Sequence, residues 1–463
     1  MIKTVEADYL VVGAGAMGMA FADSIISETD ASVIMVDRHH RPGGHWNDAY
    51  PFVRLHQPSS FYGVNSKELS TGTIDQQGWN EGLYELASSA EVCSYFDQVM
   101  QQQFLPSGRV QFLPMSEYHK GKVTSSISGL SHVVSAGKTV DATYMNVSVP
   151  SIREPLFVVE PDVNFVPINT LANVSNSYGR YVIIGGGKTS MDACLFLLGN
   201  GVLANQITWI RPRDSWILNR KFIQPGDLAA ESARGQGMQL AALMAAESLP
   251  ALFAAIEPSG LLMRLDTEVN PTMYRCATCT EKELEALRTI KDVVRLGHVT
   301  RITCETIELE HGSVPTATDA LHVDCSADGL ARRPVKPVFD GEQITLQAIS
   351  TCQQVFSAAM IGHVEAAYET DAEKNELCQV VPHPDTEVDY LRTMRTTNAN
   401  RANWAQDPEM QRWLEHARLD GFTTPPAEEA PPLDPAVVEG MVTALAAGQS
   451  KLDELIERAE QTD

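Results

Sequence analysis

Two glycine-rich runs, about 170 residues apart, have the spacing of phosphate-binding turns. Gly13-Ala-Gly-Ala-Met-Gly18 follows an apolar run that ends at Val12, and Gly185-Gly-Gly-Lys-Thr-Ser190 follows another that ends at Ile184. Each is followed by a stretch of helical composition and then by a second apolar run. A strand, a glycine-rich turn, a helix and a strand in this order are typical of a dinucleotide-binding unit.

Each glycine of the first run has a separate task. Gly13 permits a tight turn out of the strand, Gly15 lets the backbone approach a pyrophosphate, and Gly18 lets the helix pack closely on the strand. We expect the phosphates at the start of the helix, beside Ala16 and Met17, because free N–H groups and the helix dipole favour negative charge there.

The two runs differ in the residues that end the following strand. The first copy has Asp37, which we expect to accept hydrogen bonds from ribose hydroxyls, with Arg38 beside it. The second copy has Arg211 and Arg213 and no carboxylate. A carboxylate would repel a 2′-phosphate, whereas guanidinium groups bind it in a fork. The second site is therefore predicted to prefer NADPH.

In the second run, the three glycine positions are taken by Gly185, Gly187 and Ser190. Serine is small enough to keep the helix close to the strand. Lys188 adds positive charge near the expected phosphates, and Thr189 lies between Lys188 and Ser190 at the start of the helix. All five residues are predicted contacts of the second nucleotide.

Composition limits the classes of partner. The chain has 463 residues, 44% hydrophobic residues and a formal net charge of -24, which indicates two or three globular domains. This charge argues against nucleic acid and anionic membranes as partners. No secretory signal and no long apolar run is visible, so we expect a cytoplasmic protein. The eight scattered cysteines are interpreted as reduced and mostly buried, without a metal site.

Further motifs resemble the class B flavin-dependent monooxygenases, which have two dinucleotide-binding domains. Gly43-Gly-His-Trp46, with Tyr50-Pro51 and Arg54, is similar to the flavin-contacting stretch of that family. Residues Ile210 to Arg220 are similar to its Arg-x-x-x-Trp-x-x-x-Arg run. Asp324 to Gly329 is similar to the strand and turn by which the chain re-enters the FAD domain. The resemblance implies FAD at the first run and NADPH at the second.

The resemblance also implies which further residues contact the cofactors. The implied contacts are, for FAD, Gly44, His45, Trp46, Arg54, Gln57 and Asp328, and, for NADPH, Trp216. Arg54 and His56 are the candidate catalytic residues, since both follow the flavin motif.

We predict an α/β fold with two Rossmann-like domains, in which the NADPH domain is inserted into the FAD domain. The expected boundaries are 1–165 and 316–375 for the FAD domain, 166–315 for the NADPH domain with a helical insertion at about 227–290, and 376–463 for a helical C-terminal region with a Pro-rich linker at 424–435. The Ala-, Leu- and Met-rich stretch 227–265 could be a lid over an apolar substrate or a small helical subdomain. The terminal helix beyond the linker could dock on a partner subunit, so a homodimer is left open.

The implied reaction is hydride transfer from NADPH to the flavin, then reaction with O2 to a C4a-(hydro)peroxide that oxygenates a small organic substrate. The family's signature before the second run is absent, because residues 151–184 contain no histidine. This leaves an NADPH-dependent reductase or oxidase without oxygen insertion as the alternative, and a nucleotide-binding sensor as a third. Cys276-Ala-Thr-Cys279 could be a redox pair, but it follows the second glycine-rich run instead of preceding it.

Overall fold

The computed structural model describes residues 3–146, 148–327, 332–421 and 435–461. In chain order, its strands are β1 Lys3–Val12, β2 Val33–Val36, β3 Gly63–Val64, β4 Lys67–Glu68, β5 Val110–Leu113, β6 Ser116–His119, β7 Lys122–Ser125, β8 Ser131–Asp141, β9 Val158–Val159, β10 Phe165–Pro167, β11 Arg180–Ile184, β12 Ile207–Ile210, β13 Ser215–Asn219, β14 Leu262–Met263, β15 Met273–Cys279, β16 Asp292–Val294, β17 Val299–Ile302, β18 Thr306–Leu309, β19 Gly312–Pro315, β20 Ala320–Asp324, β21 Phe339–Asp340 and β22 Gln343–Thr345.

Its α-helices are α1 Ala16–Glu28, α2 Ser89–Val99, α3 Ile168–Leu171, α4 Lys188–Gly199, α5 Ala229–Ala245, α6 Leu249–Ile256, α7 Glu281–Leu287, α8 Gln354–Ala367, α9 Asp371–Leu377, α10 Glu387–Trp404, α11 Pro408–His416 and α12 Pro435–Glu460.

The first sheet holds the first glycine-rich turn at its carboxyl edge. Its strand order is β21-β22-β8-β1-β2-β5, and β22, β8, β1, β2 and β5 run parallel. Helix α1 connects β1 to β2, which gives the β-α-β unit expected from the sequence. Helix α8 packs closely on α1, since a Cβ at Gly362 would lie 2.9 Å from the Phe21 carbonyl oxygen. Because parallel strands share one carboxyl edge, the turn after β1 and the loop after β22 meet there.

The second sheet repeats this arrangement. Its order is β10-β20-β11-β12-β16 with all neighbours parallel, and α4 connects β11 to β12. Its strands come from residues that lie in the sequence between β8 and β21 of the first sheet. The predicted fold class, two Rossmann-like units with the second inserted into the first, is therefore confirmed.

The chain returns to the first sheet later than residue 316, where we placed the boundary. Asp324, the first residue of the stretch Asp324 to Gly329 that is similar to the re-entering strand and turn, ends strand β20, and β20 pairs with β10 and β11 of the second sheet. All five of its residues are buried, as expected for a central strand of a parallel sheet. The return comes at β21 and β22.

The insertion predicted to be helical at about 227–290 also contains strands. Helices α5 and α6 are present, but β14 and β15 form a three-stranded sheet with β13. Strand β15 packs against α10, which lies more than 100 residues further along the chain. Composition could not reveal this long-range contact, so the strand was missed.

The C-terminal region is helical from α9 to α12 in the described residues, and this part of the prediction is confirmed. Helix α12 packs on α10 and α5. The predicted Pro-rich linker at 424–435 lies, apart from its last residue, outside the described residues. In the described part of the chain, no helix combines the length and apolar character needed to cross a membrane.

Candidate functional site

The first glycine-rich turn is closed by backbone packing. Gly13 has a φ of +102°, a left-handed conformation that residues with a Cβ rarely adopt. A Cβ at Gly18 would lie 2.0 Å from the Gly13 carbonyl oxygen, and a Cβ at Gly44 would lie 2.7 Å from the Cα of Gly15. The structure therefore brings these four predicted residues together, with no room for side chains at positions 18 and 44.

The carboxylate of Asp37 bonds back to this turn. Its Oδ2 accepts the N–H of Ala14 at 2.7 Å, and its Oδ1 accepts the N–H of His39 at 2.8 Å and lies 2.8 Å from His39 Nδ1. Each carboxylate oxygen has two acceptor directions, so Oδ2 keeps one for a further donor. Asp37 therefore holds the turn and retains an acceptor for a ribose hydroxyl.

His39, which the sequence did not single out, links Asp37 to Asp48. Its Nε2 lies 2.9 Å from Asp48 Oδ2, and Arg38 Nη2 donates to the same oxygen at 2.9 Å. The hydrogen bonds with the two carboxylates raise the pKa of His39, against the effect of burial. Arg38 lies at the surface, because 53% of its side chain is exposed.

His45 and Trp46 line the space beside the first turn. Their rings stack with centroids 5.4 Å apart, and Trp46 Nε1 donates to Tyr62 Oη at 2.6 Å. His45 is solvent-accessible although it lies deep in the protein, so its ring lines an internal cleft. Burial lowers the pKa of His45, which keeps the imidazole neutral at pH 7.

Arg54, which was predicted to contact FAD, lies at the protein surface. Arg54 is exposed, and its Nη1 donates to the Leu86 carbonyl oxygen at 2.7 Å. Gln57 is half-buried. The guanidinium of Arg54 therefore lies at the rim.

His56 lies at the contact between the two units. Its carbonyl oxygen accepts Arg220 Nε at 2.9 Å, and Arg220 in turn pairs with Glu283 at 3.0 Å. Burial lowers the pKa of His56 to about 3, and the charges of Lys188 and Arg220 add to the effect. A neutral imidazole at pH 7 can donate one hydrogen bond and accept another but supplies no charge.

Tyr50, Asp192 and Lys188 connect the flavin-like motif of the first unit to α4 of the second. Tyr50 Oη donates to Asp192 Oδ2 at 2.6 Å, and Lys188 Nζ pairs with Asp192 Oδ1. Lys188 and Asp192 are four residues apart, so they face the same side of the helix. The ammonium that we expected at the phosphates is thus engaged by a carboxylate of its own helix.

The second glycine-rich turn is more open than the first. Gly185 has a φ of +140°, and a Cβ there would lie 2.7 Å from the Cys325 carbonyl oxygen. A Cβ at Gly187 would have no atom within 4 Å. Ser190 Oγ donates to the Gly187 carbonyl oxygen at 2.6 Å, and Thr189 is half-buried beside it. The backbone at Gly187 is accessible to a ligand.

Arg211 and Arg213, predicted to act together, lie in different environments. Arg211 is 1% exposed, stacks on Trp209 with its Cζ 4.4 Å from the ring centroid, and has its Nε 3.3 Å from Asp214 Oδ1. Burial lowers the pKa of this guanidinium. Arg213 has 34% of its side chain exposed, and its carbonyl oxygen would lie 2.7 Å from a Cβ at Gly186. Arg213 alone therefore faces solvent at the turn.

Three guanidinium groups surround the carboxylate of Asp385 beside the second turn. Arg213 Nη1 donates to Oδ2 at 3.1 Å, Arg275 Nε donates to Oδ1 at 2.6 Å, and Arg332 Nη1 donates to Oδ2 at 3.0 Å. Although burial opposes it, the hydrogen bonds from Arg213 and Arg275 lower the pKa of Asp385. This arginine cluster places three guanidinium groups around one carboxylate, in a chain that carries a net charge of -24.

Two predicted contacts lie elsewhere or outside the described residues. Trp216 stacks on Phe253 and donates from Nε1 to Glu387 Oε1 at 2.7 Å, in a hydrophobic cluster formed by the insertion and the C-terminal helices. Asp328 lies outside the described residues.

The helices that follow the two glycine-rich turns begin without a side-chain cap. Neither α1, with N-cap Gly15, nor α4, with N-cap Gly187, has a side-chain hydrogen bond or an acidic residue in its first turn. Helix α8, with N-cap Gln353, shares both properties. Every other helix of eight or more residues with a described N-terminus has a capping side chain or an acidic first turn. Three positive helix ends are thus left for a ligand.

Comparisons with known proteins match the first glycine-rich unit and, separately, the whole chain. Residues 11–57 match the model of the NAD(P)-binding Rossmann-like domain. The chain is 50% identical to "Uncharacterized protein Rv2000" of Mycobacterium tuberculosis over 464 residues, covering 99% of this chain and 86% of that protein. A protein of Mycobacterium bovis, "Uncharacterized protein Mb2023", matches to the same extent.

Solved structures of flavin enzymes are similar at low identity. Cyclohexanone monooxygenase from Rhodococcus sp. Phi1 bound to NADP+ is 13% identical, with a TM-score of 0.48 and coverage of 100% of this chain and 98% of that one. Flavin-containing monooxygenase from Stenotrophomonas maltophilia is also 13% identical, with a TM-score of 0.41 and coverage of 78% and 97%.

Sequence reasoning missed several residues of the site. Asp192 could have been noticed, because a carboxylate four residues after Lys188 faces the same side of a helix. His39 stands two residues after Asp37, which is close enough for a local contact. Arg275 and Arg332 carry no such signal, since only the fold brings them to Arg213.

Proposed function

Because the chain belongs to the same family as the mycobacterial protein Rv2000, whose name assigns it no activity, we propose its function from the site itself. We propose an oxidoreductase that binds FAD at the first glycine-rich turn and NADPH at the second, and that uses O2 to oxygenate a small organic substrate. The uncapped ends of α1, α4 and α8 carry this proposal.

These helix ends fit the phosphates of dinucleotides. Four backbone N–H groups at the start of a helix have no partner within the helix. At α2 and α10 one of these groups is bound by the side chain of Ser88 or Thr386 in a capping box. At α1 and α4 glycine takes the N-cap position, so a phosphate oxygen can approach the N–H groups.

The two sites select different nucleotides by charge. Asp37 has a free acceptor direction that suits a ribose hydroxyl, and its negative charge repels a 2′-phosphate. The arginine cluster around Asp385 suits a 2′-phosphate, because Arg213, Arg275 and Arg332 can share their donors between the carboxylate and a second anion. We assign this role to Arg213 and not to the buried Arg211.

The bound flavin would supply hydride acceptance and reaction with O2. The chain holds the neutral His45 and His56 in the cleft, where each ring offers one donor and one acceptor. The Tyr50–Asp192–Lys188 contact keeps the two units at a fixed distance and orients the Tyr50 hydroxyl. Arg54, at the rim, can hold an anionic part of NADPH, and His56 and Gln57 remain candidates from the sequence. Trp216 is buried in the hydrophobic cluster of the insertion and is not proposed as a contact.

The alternative is an NADPH-dependent reductase or oxidase without oxygen insertion. It is favoured by the stretch 151–184, which contains no histidine where the resembling family has one in its signature. Both functions need the same two cofactor sites and differ only in the fate of O2.

One experiment tests the proposal. The purified protein is analysed for bound FAD, reduced anaerobically with NADPH or NADH, and then exposed to 18O2 with a thioether, an amine or a ketone. Rapid reduction by NADPH and 18O in an organic product support the proposal. One H2O2 for each NADPH, without labelled product, overturns oxygenation in favour of the alternative. Absence of bound FAD, or of reduction by NADPH, overturns both.

A further inference from the structure

Cys276 and Cys352 are joined by a disulfide bond between the insertion and the first sheet. The two Cα atoms are 6.4 Å apart and the residues are 76 positions apart in the sequence. Cys276 lies in β15, next to Arg275 of the arginine cluster. Cys352 lies in the loop that leads from β22 to α8. The bond thus ties one wall of the second nucleotide site to the carboxyl edge of the first sheet.

This pair differs from the other six cysteines, which are free. Cys93, Cys194, Cys279, Cys325 and Cys378 are buried, and burial raises the pKa of each thiol. Such thiols are poor nucleophiles. Cys276 and Cys352 are half-buried and therefore accessible to a reagent from solvent. The expectation that all cysteines are reduced is wrong for these two, because the fold brings together residues that the sequence keeps far apart.

Both half-cystines have a backbone conformation that is costly for a residue with a side chain. The φ of each is +56°, in the left-handed region. Residues other than glycine rarely adopt this conformation, because their Cβ comes too close to the following carbonyl oxygen. Opening the bond would let both residues leave this unfavourable conformation. Two such residues at one disulfide therefore fit a bond that opens and closes better than a bond that only stabilises the fold.

We propose that Cys276–Cys352 is a reversible redox site that is reduced by thiol–disulfide exchange with a dithiol. Neither the family comparison nor the oxidoreductase proposal assigns a role to this pair, and the inference does not depend on either. Reduction releases the loop before α8 from β15. The disulfide therefore cross-links the two nucleotide units only in the oxidised state.

The order of the exchange follows from the position of α8. A thiolate of the reductant attacks Cys276 Sγ, the bond between the two sulfurs breaks, and Cys352 leaves as a thiolate. Cys352 is the better leaving group because it precedes the uncapped N-terminus of α8, where the helix dipole favours negative charge. The second thiol of the reductant then attacks its own mixed disulfide and frees Cys276. The protein gains two electrons and two protons, and the dithiol becomes a disulfide.

The test uses the full chain purified under oxidising conditions. Free thiols are blocked with one alkylating reagent, the folded protein is treated with dithiothreitol, and the newly formed thiols are labelled with a second reagent and located by peptide mass spectrometry. We expect new label at Cys276 and Cys352 only, at a rate within about tenfold of that in denaturant, because access limits the exchange.

Several outcomes would overturn the proposal. One is the absence of a Cys276–Cys352 cross-linked peptide from the non-reduced digest. Another is reduction that proceeds only in denaturant, which would make the bond structural. The matched control is Cys304→Ser, which removes a half-buried free thiol and should leave the labelling pattern at the pair unchanged. In Cys352→Ser, Cys276 has no partner and should already be blocked by the first reagent, so it should gain no second label after dithiothreitol. A second label at Cys276 that still depends on dithiothreitol would contradict the pairing.

Discussion

The two glycine-rich turns follow the same path from strand to helix but differ in how closely the chain packs on them. At the first turn, Cβ atoms at positions 18 and 44 would collide with the backbone. At the second turn, Cβ atoms at Gly185 and Gly186 would also lie 2.7 Å from a backbone oxygen, but Gly187 has open space where a Cβ would project. The matching position of the first turn, Gly15, faces Gly44, with 3.4 Å between a Cβ there and the Gly44 Cα. The first turn is therefore covered by the chain at its middle glycine, whereas the second leaves that glycine open to a ligand.

The residues at the following strand ends differ in the same way. Asp37 is 6% exposed and bonds to its own turn through Ala14. Arg213 is partly exposed and belongs to the arginine cluster around Asp385. A cofactor that stays bound fits the first arrangement, and a cosubstrate that enters and leaves in each turnover fits the second. Three predictions test this contrast.

The largest effect is expected from Gly18→Ala compared with Gly187→Ala. A Cβ at Gly18 forces α1 away from β1, so we expect a loss of about 2–3 kcal/mol in unfolding free energy and loss of bound FAD. Gly187→Ala should change stability by no more than about 0.5 kcal/mol. It should raise the Kd for NADPH about tenfold, since the methyl group keeps the pyrophosphate from the backbone.

Urea denaturation, flavin absorbance after gel filtration and NADPH titration measure these three quantities. The contrast between the turns fails if Gly187→Ala releases FAD, or if Gly18→Ala keeps the stability and flavin content of the parent protein.

The second prediction separates the two arginines. Arg213→Ala should raise the Kd for NADPH by about 10- to 100-fold, because it removes a charge-assisted hydrogen bond, and should leave NADH almost unchanged. Arg211→Ala should mainly lower the unfolding free energy, by about 2–4 kcal/mol, since it leaves a cavity on Trp209 and removes one of the two arginines that pair with the buried Asp214.

Arg301→Ala is the matched control, because Arg301 is a half-exposed arginine that pairs with Glu160. It should alter neither NADPH binding nor, beyond about 0.5 kcal/mol, stability. Equal losses of NADPH and NADH in Arg213→Ala would contradict the assignment of the 2′-phosphate to the arginine cluster.

The sequence predicts those parts of the fold that depend on local spacing. Gly13 to Gly18 and Asp37 belong to one strand–helix–strand unit, so their relation is set within about 25 residues. The same holds for Gly185 to Ser190 and the strand that follows. The burial of individual side chains could not be predicted in this way. Arg211 and Arg213 are two positions apart in the same loop, yet only Arg211 points into the protein, where it stacks on Trp209.

Long-range contacts account for what the sequence could not predict. The arginine cluster assembles positions 213, 275, 332 and 385, and no spacing rule links them. Cys276 was considered with Cys279 because only two residues separate them, whereas its partner is Cys352. Strand β15 was missed for the same reason, since its neighbours β13 and α10 come from distant parts of the chain.

The smallest expected effect tests the closed character of the first turn through His39. Because Asp37 and Asp48 raise the pKa of His39 in the folded protein, the protonated ring stabilises the fold. This contribution is fully present below the pKa of the unfolded chain, about 6.5, and is lost as the pH rises through the higher folded value. His39→Gln should therefore lower the unfolding free energy at pH 5.5 by up to about 1 kcal/mol, and by less at pH 9.

Urea denaturation of the two proteins at both pH values measures the difference. His119→Gln, which removes an exposed histidine from β6, corrects for general effects of the substitution. A loss that is larger at pH 9 than at pH 5.5 would mean that the neutral ring, and not the imidazolium, holds Asp37 in place. The charge of Asp37 would then not be neutralised by a protonated His39. The carboxylate of the first turn would be held less tightly by its surroundings, which is closer to the arrangement at the second turn than the packing of the glycines implies.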